Sequence, residues 1–124
     1  MNIELLKTLG KLKKFKKGDF ICSENENGNT AYLLLQGSVE VVLGSFTDSI
    51  RTVTTLGPGT IFGEMSLLEN KPRNASVIAD VDDTMVLEIE KNNFLSILTT
   101  DKEIGWNLLC TLLDRMEKLM LFND

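Results

Sequence analysis

The sequence predicts a mainly β domain, a sandwich or barrel, with a short helix before the strands and a longer helix after them. Three observations carry this. Over residues 18–89, short runs of β-branched and apolar residues are separated by turn signals. After Ile89 the apolar period lengthens from about 2 to about 3.6 residues. Before the strands, Leu5, Leu9 and Leu12 recur at helical spacing.

Those three leucines define the first helix. Six of the thirteen basic residues lie between Lys7 and Lys17. An acidic partner or a membrane surface would use such a run. On a chain of net charge −5 a solvated face explains it more simply. Residues 31–36 and 38–43 form two strand-like runs hinged at Gly37. In the second, Val39, Val41 and Leu43 alternate with Ser38, Glu40 and Val42, giving one face to a core. Residues 51–56 follow, then the Gly57-Pro58-Gly59 turn. Residues 75–79 and 85–89 complete the series, with Met85, Leu87 and Ile89 on one face. Many short strands at this spacing suggest a sandwich or barrel, and periodicity alone leaves their order open.

Phe94, Ile97 and Leu98 then form one short helical face. Thr100 and Glu103 make a capping-box pattern ahead of the longer helix. That helix carries Ile104, Leu108, Leu112, Met116 and Leu119 or Met120 on one side. Leu109 and Leu113 widen the stripe, so this helix packs on the barrel, on a partner, or on both.

Composition narrows the function. A chain of 124 residues with 43% hydrophobic content reads as one domain, residues 1–124, with one core. The net charge of −5 argues against a direct, non-specific nucleic-acid binder. The first twelve residues hold lysines and no unbroken apolar leader. No run approaches the roughly 20 apolar residues of a membrane span. A cytoplasmic protein without a membrane partner is expected. Cys22 and Cys110 lack metal-type spacing and read as reduced, buried thiols. The chain has no histidine. That removes the commonest general base, the commonest transition-metal ligand and every Ser-His or Cys-His nucleophile pair. No second acid is placed to pair with Glu64, and no enzyme is expected.

Residues 62–79 read FGEMSLLENKPRNASVIA and carry the functional signal. Gly63 and Glu64 stand at the start of a short apolar run. Nine residues after Glu64 comes Arg73, framed by Pro72 and by the small residues Ala75 and Ser76. A glycine followed by a one-turn helix offers free N–H groups to an anion. Arginine adds a permanent charge with a fork shaped for phosphate oxygens. An acid beside an anion site should repel phosphate. It makes sense if it accepts hydrogen bonds from hydroxyls on the same ligand. Anion, sugar hydroxyl and compact loop together point to a nucleotide or a sugar phosphate. The competing explanations are an ion pair of Arg73 with Glu64 or Glu69, an acid offsetting the helix dipole, and a tight turn at Gly63.

The stretch FGEMSLLENKPRNASV resembles the phosphate-binding cassette of cyclic-nucleotide-binding domains, found in catabolite-activator-type regulators, cyclic-nucleotide-dependent kinases and gated channels. Lys17-Gly18-Asp19, Ser23-Glu24, Gly28, Tyr32, Gly37-Ser38-Val39 and Leu56-Gly57-Pro58-Gly59 fall in that family's order and spacing, so the resemblance covers nearly the whole chain. It implies an eight-stranded jelly-roll barrel flanked by a short N-terminal and a longer C-terminal helix. It implies that Phe62, Gly63, Glu64, Met65, Ser66, Arg73, Asn74, Ala75 and Ser76 meet the ligand. Arg73 would take the phosphate and Glu64 the ribose 2′-OH. Ser76 either points into the pocket or satisfies its hydroxyl locally. Leu119, Met120 and Phe122 are candidates to cap the base, against the simpler reading that they are core. Trp106 falls too early for that role.

Two positions depart from the family. Asn74 follows the arginine where the family has Ala, Ser or Thr, and Thr there goes with cGMP. Asn25 stands where the family often has Gly, and asparagine tolerates the left-handed backbone. The implied function is a regulatory module that binds a cyclic purine nucleotide, cAMP ahead of cGMP, without a cofactor, and signals by movement of its C-terminal helix. In the family a DNA-reading domain, a kinase or a channel pore usually follows. Here the output would run through a homodimer built on the last helix, through a separate effector protein, or through parts of a longer chain. One rival is a degenerate fold acting as a scaffold or dimerisation domain without nucleotide. A second is a cupin-like metalloenzyme, which the lack of histidine disfavours.

Overall fold

The computed structural model describes residues 10–44, 47–64, 72–100 and 102–103. Eight strands and one helix are defined there. They are β1 (Lys11–Phe15), β2 (Phe20–Cys22), β3 (Thr30–Gln36), β4 (Val39–Leu43), β5 (Arg51–Leu56), β6 (Ile61–Phe62), β7 (Ser76–Ala79), β8 (Thr84–Glu90) and α1 (Lys91–Thr100). One sheet runs β1-β8-β3-β6 and the other β2-β7-β4-β5. All pairings are antiparallel. This alternation of strands between two sheets is jelly-roll-like. Among the described residues no helix is long and apolar enough to cross a membrane.

The five strands predicted from periodicity are all present, within one residue at each end. Gly37 makes the hinge between β3 and β4 with φ +90°. A Cβ on it would lie 2.9 Å from Thr84 Cα. Thr84 is buried, and its hydroxyl donates to Val81 O at 2.8 Å. The hinge is therefore packed against the start of β8 as well as turned.

Three strands escape the periodicity reading, and one expected helix is corrected. Leu12 belongs to β1, opposite Leu87 of β8, not to a helix. Leu5 and Leu9 lie outside the described residues. The lysines of β1 sit on the outermost strand of their sheet. Lys13 pairs with Glu88 at 2.7 Å and Lys14 with Asp83 at 3.5 Å. Charged side chains on an edge strand oppose pairing with other chains. The described lysines of the basic run thus lie on a solvated edge; Lys7 lies outside the described residues. β2 has three residues and β6 two, too short for an alternation to register.

Two strands are buried on both faces, which alternation alone does not show. On β8 the sandwich interior takes Val86, which clusters with Tyr32, Leu34, Val39, Phe62 and Val77. Leu87 and Ile89 share one face, as the alternation predicts, and are buried on the opposite side, paired with Leu33 and Ala31 of β3. There α1 packs on β8 and β3, with Phe94 1% exposed. Both faces of β8 are therefore covered, one by a sheet and one by a helix. On β4 the register shifts between Val41 and Val42. The extra residue is Val53, on β5. Against β7 the register of β4 is unbroken, so Val39, 0% exposed, shares the core face with Val41, and Val42, 2% exposed, is buried on the opposite face, paired with Ser76. Ile97 and Leu98 side chains, and the predicted longer helix beyond Glu103, lie outside the described residues.

Candidate functional site

A cavity of about 210 Å³ opens on the inner face of the β2-β7-β4-β5 sheet. Strand register builds its floor. Cys22 faces Val77, Val77 faces Val41, and Val41 faces Thr54. All four line the cavity, with Leu56 beside them. The floor is thus a single cross-strand row that ends in a hydroxyl at the exposed strand β5. Phe62 closes one side and stacks on Tyr32, with ring centroids 5.2 Å apart. The opposite wall is the segment Arg73, Asn74 and Ala75.

Arg73 is 5% exposed. Its main chain is clamped to the β2–β3 turn: Asn25 N–H donates to Arg73 O at 2.7 Å, and Arg73 N–H to Glu26 O at 2.9 Å. Asn25 holds φ +70°, the left-handed backbone that asparagine tolerates. The guanidinium is held as firmly. Nη2 donates to Thr30 O at 3.0 Å, Nη1 to Gly63 O at 3.4 Å, and Nε faces Glu26 Oε1 at 3.5 Å. Its plane lies over Tyr32, with the guanidinium carbon 5.4 Å from the ring centroid. Glu26, far upstream in the chain, is therefore a carboxylate partner of Arg73. Glu69 lies outside the described residues.

Gly63 turns the chain with φ +79° and leads into a helical Glu64. Glu64 is fully buried and lines the cavity. A buried acid and a buried arginine thus share one small, mostly apolar chamber. The apolar floor can take a flat aromatic ring. The acid and the guanidinium can take a hydroxyl and an anion.

Comparison with known proteins agrees with this geometry. The family described as the cyclic nucleotide-binding domain matches residues 12–101. The chain belongs to that family. The cyclic nucleotide-binding domain here is 32% identical over 110 residues to a protein named cyclic AMP receptor protein from Thermus thermophilus, covering 89% of this chain and 50% of the relative. It is 33% identical over 91 residues to human cGMP-dependent protein kinase 2, covering 73% of this chain and 12% of the kinase. The solved Thermus thermophilus catabolite activator protein superposes with a TM-score of 0.81 at 29% identity, over 96% of this chain and 55% of that one. This cyclic nucleotide-binding domain thus spans half or less of the two named relatives, and in the kinase the domain is a small separate part. The family is of the regulatory kind.

Within the cyclic nucleotide-binding domain, the predicted site residues divide into three groups. Phe62, Gly63, Glu64, Arg73, Asn74 and Ala75 line the cavity together. Met65, Ser66, Leu119, Met120 and Phe122 lie outside the described residues, so cassette helix and base cap stay with the sequence reading. Ser76 does not line the cavity. Alternation along β7 turns Val77 inward and Ser76 away, and the buried Ser76 hydroxyl accepts the Glu24 N–H at 2.8 Å. Glu24 in turn accepts the Gly44 N–H at 2.9 Å. Ser76 and Glu24 together tie the β2–β3 turn to the sheet.

Sequence reasoning missed the floor residues Cys22, Val41, Thr54, Leu56 and Val77, and the supports Glu26 and Thr30. Val41, Thr54, Leu56 and Val77 fall within predicted strands, but nothing local says which cavity they face. Burial pushes the Cys22 thiol up to about 11, and the neighbouring Arg73 pulls it partly back. It is an inert floor residue at neutral pH.

Proposed function

We propose that this domain binds a cyclic purine nucleotide, cAMP ahead of cGMP, and does not turn it over. The observation that carries the reading is a buried Glu64 and a buried Arg73 in one apolar-floored cavity. The cyclic phosphate sits against Arg73 and the N–H groups after Gly63. The ribose 2′-OH donates to Glu64. The base lies along the row Val77, Val41 and Thr54, with Leu56 beside it. Asn74 lines the cavity beside the arginine, where its amide can donate to a phosphate oxygen or touch the base. The reading takes residues 1–124 as one module. Its output is a shift of the C-terminal segment, Leu119, Met120 and Phe122 covering the base. That shift is limited by the ligand's differential affinity for the two positions. A homodimer through that segment, or a separate effector, receives it.

Isothermal titration with cAMP, cGMP and cyclic dinucleotides in parallel tests this. cAMP binding tightest supports it, and no binding by any of them sinks it. A 2′-deoxy ligand leaves a buried carboxylate without its donor and should bind about 5- to 150-fold more weakly, about 1–3 kcal/mol. Equal affinity for the two ligands removes Glu64 from the ribose.

One observation favours the scaffold reading. The bonds of Arg73 to Thr30, Gly63 and Glu26 make it an internal brace even without a nucleotide. The same titration separates the two readings. For the cupin-like reading, no cluster of three metal-ligating residues occurs among the described residues.

A further inference from the structure

The charges around the cavity restrict the kind of phosphate it accepts, an inference that rests on the nucleotide reading above. Among the described lining residues Arg73 is the one cation and Glu64 the one anion. A second carboxylate stands just behind the wall. Glu26 Oε1 lies 3.5 Å from Arg73 Nε, with the two side chains 48% and 5% exposed. Glu26 is fixed there. The same oxygen accepts the Ser23 N–H at 2.9 Å, and the Glu26 carbonyl accepts the Arg73 N–H at 2.9 Å. The Asn27–Pro72 bridge continues this pairing by one step. Main chain thus holds the acid against the guanidinium from both sides, and the charge of Arg73 is partly offset before any ligand arrives.

The geometry points to Glu26 as a charge filter that admits a phosphate carrying one negative charge and disfavours one carrying two. A cyclic phosphodiester carries one. A phosphomonoester carries nearly two above its second pKa of about 6. Glu64 lines the cavity and has a ribose hydroxyl to meet. Glu26 is outside the lining and offers the ligand only repulsion. At a fixed position that repulsion is linear in ligand charge. Its effect on affinity for a dianion is therefore roughly the square of its effect for a monoanion.

The test is to measure cAMP directly, and 5′-AMP by competition, at pH 8 and low salt, on the parent protein, Glu26→Gln and Glu26→Asp. Glutamine keeps an oxygen for the Ser23 N–H and removes the charge. Glu26→Gln is expected to bind cAMP about threefold tighter and 5′-AMP about tenfold tighter, so selectivity narrows about threefold. High salt should shrink both gains. Glu26→Asp keeps the charge and should keep the parent's selectivity. A residue that only braced Arg73 would weaken both ligands alike when neutralised. An unchanged selectivity ratio in Glu26→Gln, weaker cAMP binding by it, or a narrowed ratio in Glu26→Asp overturns the filter alone. A parent protein that binds neither ligand overturns the nucleotide reading and the filter with it.

Discussion

Arg73 occupies the space that a side chain on Gly63 would need. A Cβ built on Gly63 would lie 2.7 Å from Arg73 Nη1 and 3.3 Å from Tyr32 Cδ2. The glycine is thus required twice, by its φ of +79° and by the guanidinium seated against it. Gly63→Ala is expected to lose about 1–3 kcal/mol of stability from backbone strain. It should also push the guanidinium off Thr30 and weaken cAMP by at least about tenfold, about 1.4 kcal/mol. Thermal unfolding and titration of the variant check both. Unchanged affinity would mean that this contact does not set the position of Arg73.

Arg73 is both brace and candidate anion site, so its replacement should cost on both counts. A loop residue that faced only ligand would leave folding intact. The bonds to Thr30 O and Gly63 O predict otherwise. Arg73→Ala should lose about 1–3 kcal/mol of stability as a buried carbonyl loses its donor. cAMP affinity should fall roughly 30- to 1,000-fold. Arg73→Lys keeps the charge without the fork and should recover less than half of that loss in free energy. A variant that binds cAMP like the parent would remove the phosphate from Arg73.

Ser76 separates structural from ligand roles inside the cassette. Its hydroxyl accepts the Glu24 N–H at 2.8 Å and is turned away from the cavity. Ser76→Ala should cost about 1–3 kcal/mol of stability and change cAMP affinity less than about threefold, about 0.65 kcal/mol. The opposite pattern, stable folding with a large loss of affinity, would return Ser76 to the ligand.

Cys22 makes alkaline stability depend on the fold. Burial raises its thiol from the ordinary 9.0 to about 11. The folded state therefore holds this proton more tightly than the unfolded chain does. The contribution to stability is complete below about pH 9 and is lost as pH rises toward about 11. The loss is on the order of 2 kcal/mol. Comparing urea midpoints of the parent and Cys22→Ala from pH 8 to pH 11 isolates it. The alanine variant should begin less stable and fall less steeply. Parallel slopes would place the thiol in water.

The sequence by itself determined the β-rich class, five strands and the Gly37 hinge, and singled out Gly63, Glu64 and Arg73, which line one cavity. It allowed a left-handed Asn25, which the structure adopts. These are local matters: alternation marks a half-buried strand, and turn chemistry marks where φ is positive. Only the tertiary structure decided which face of each strand is interior. β8 is buried on both sides, and β4 buries Val39 on one face and Val42 on the other. It also made a strand of the lysine-rich segment Lys11–Phe15, whose own pattern lacks an apolar face, by pairing it with β8. The site divides the same way. Arginine and acid were legible because their chemistry is unusual in a short loop. The apolar floor was not, since Cys22, Val77, Val41 and Thr54 come from four strands and share a row only through register. Nor was Glu26, an ordinary loop acid until main-chain pairing sets it against Arg73. Local periodicity reports what a few neighbouring residues prefer. Strand order and register are settled by contacts between distant segments, and those form only when the whole core is buried at once.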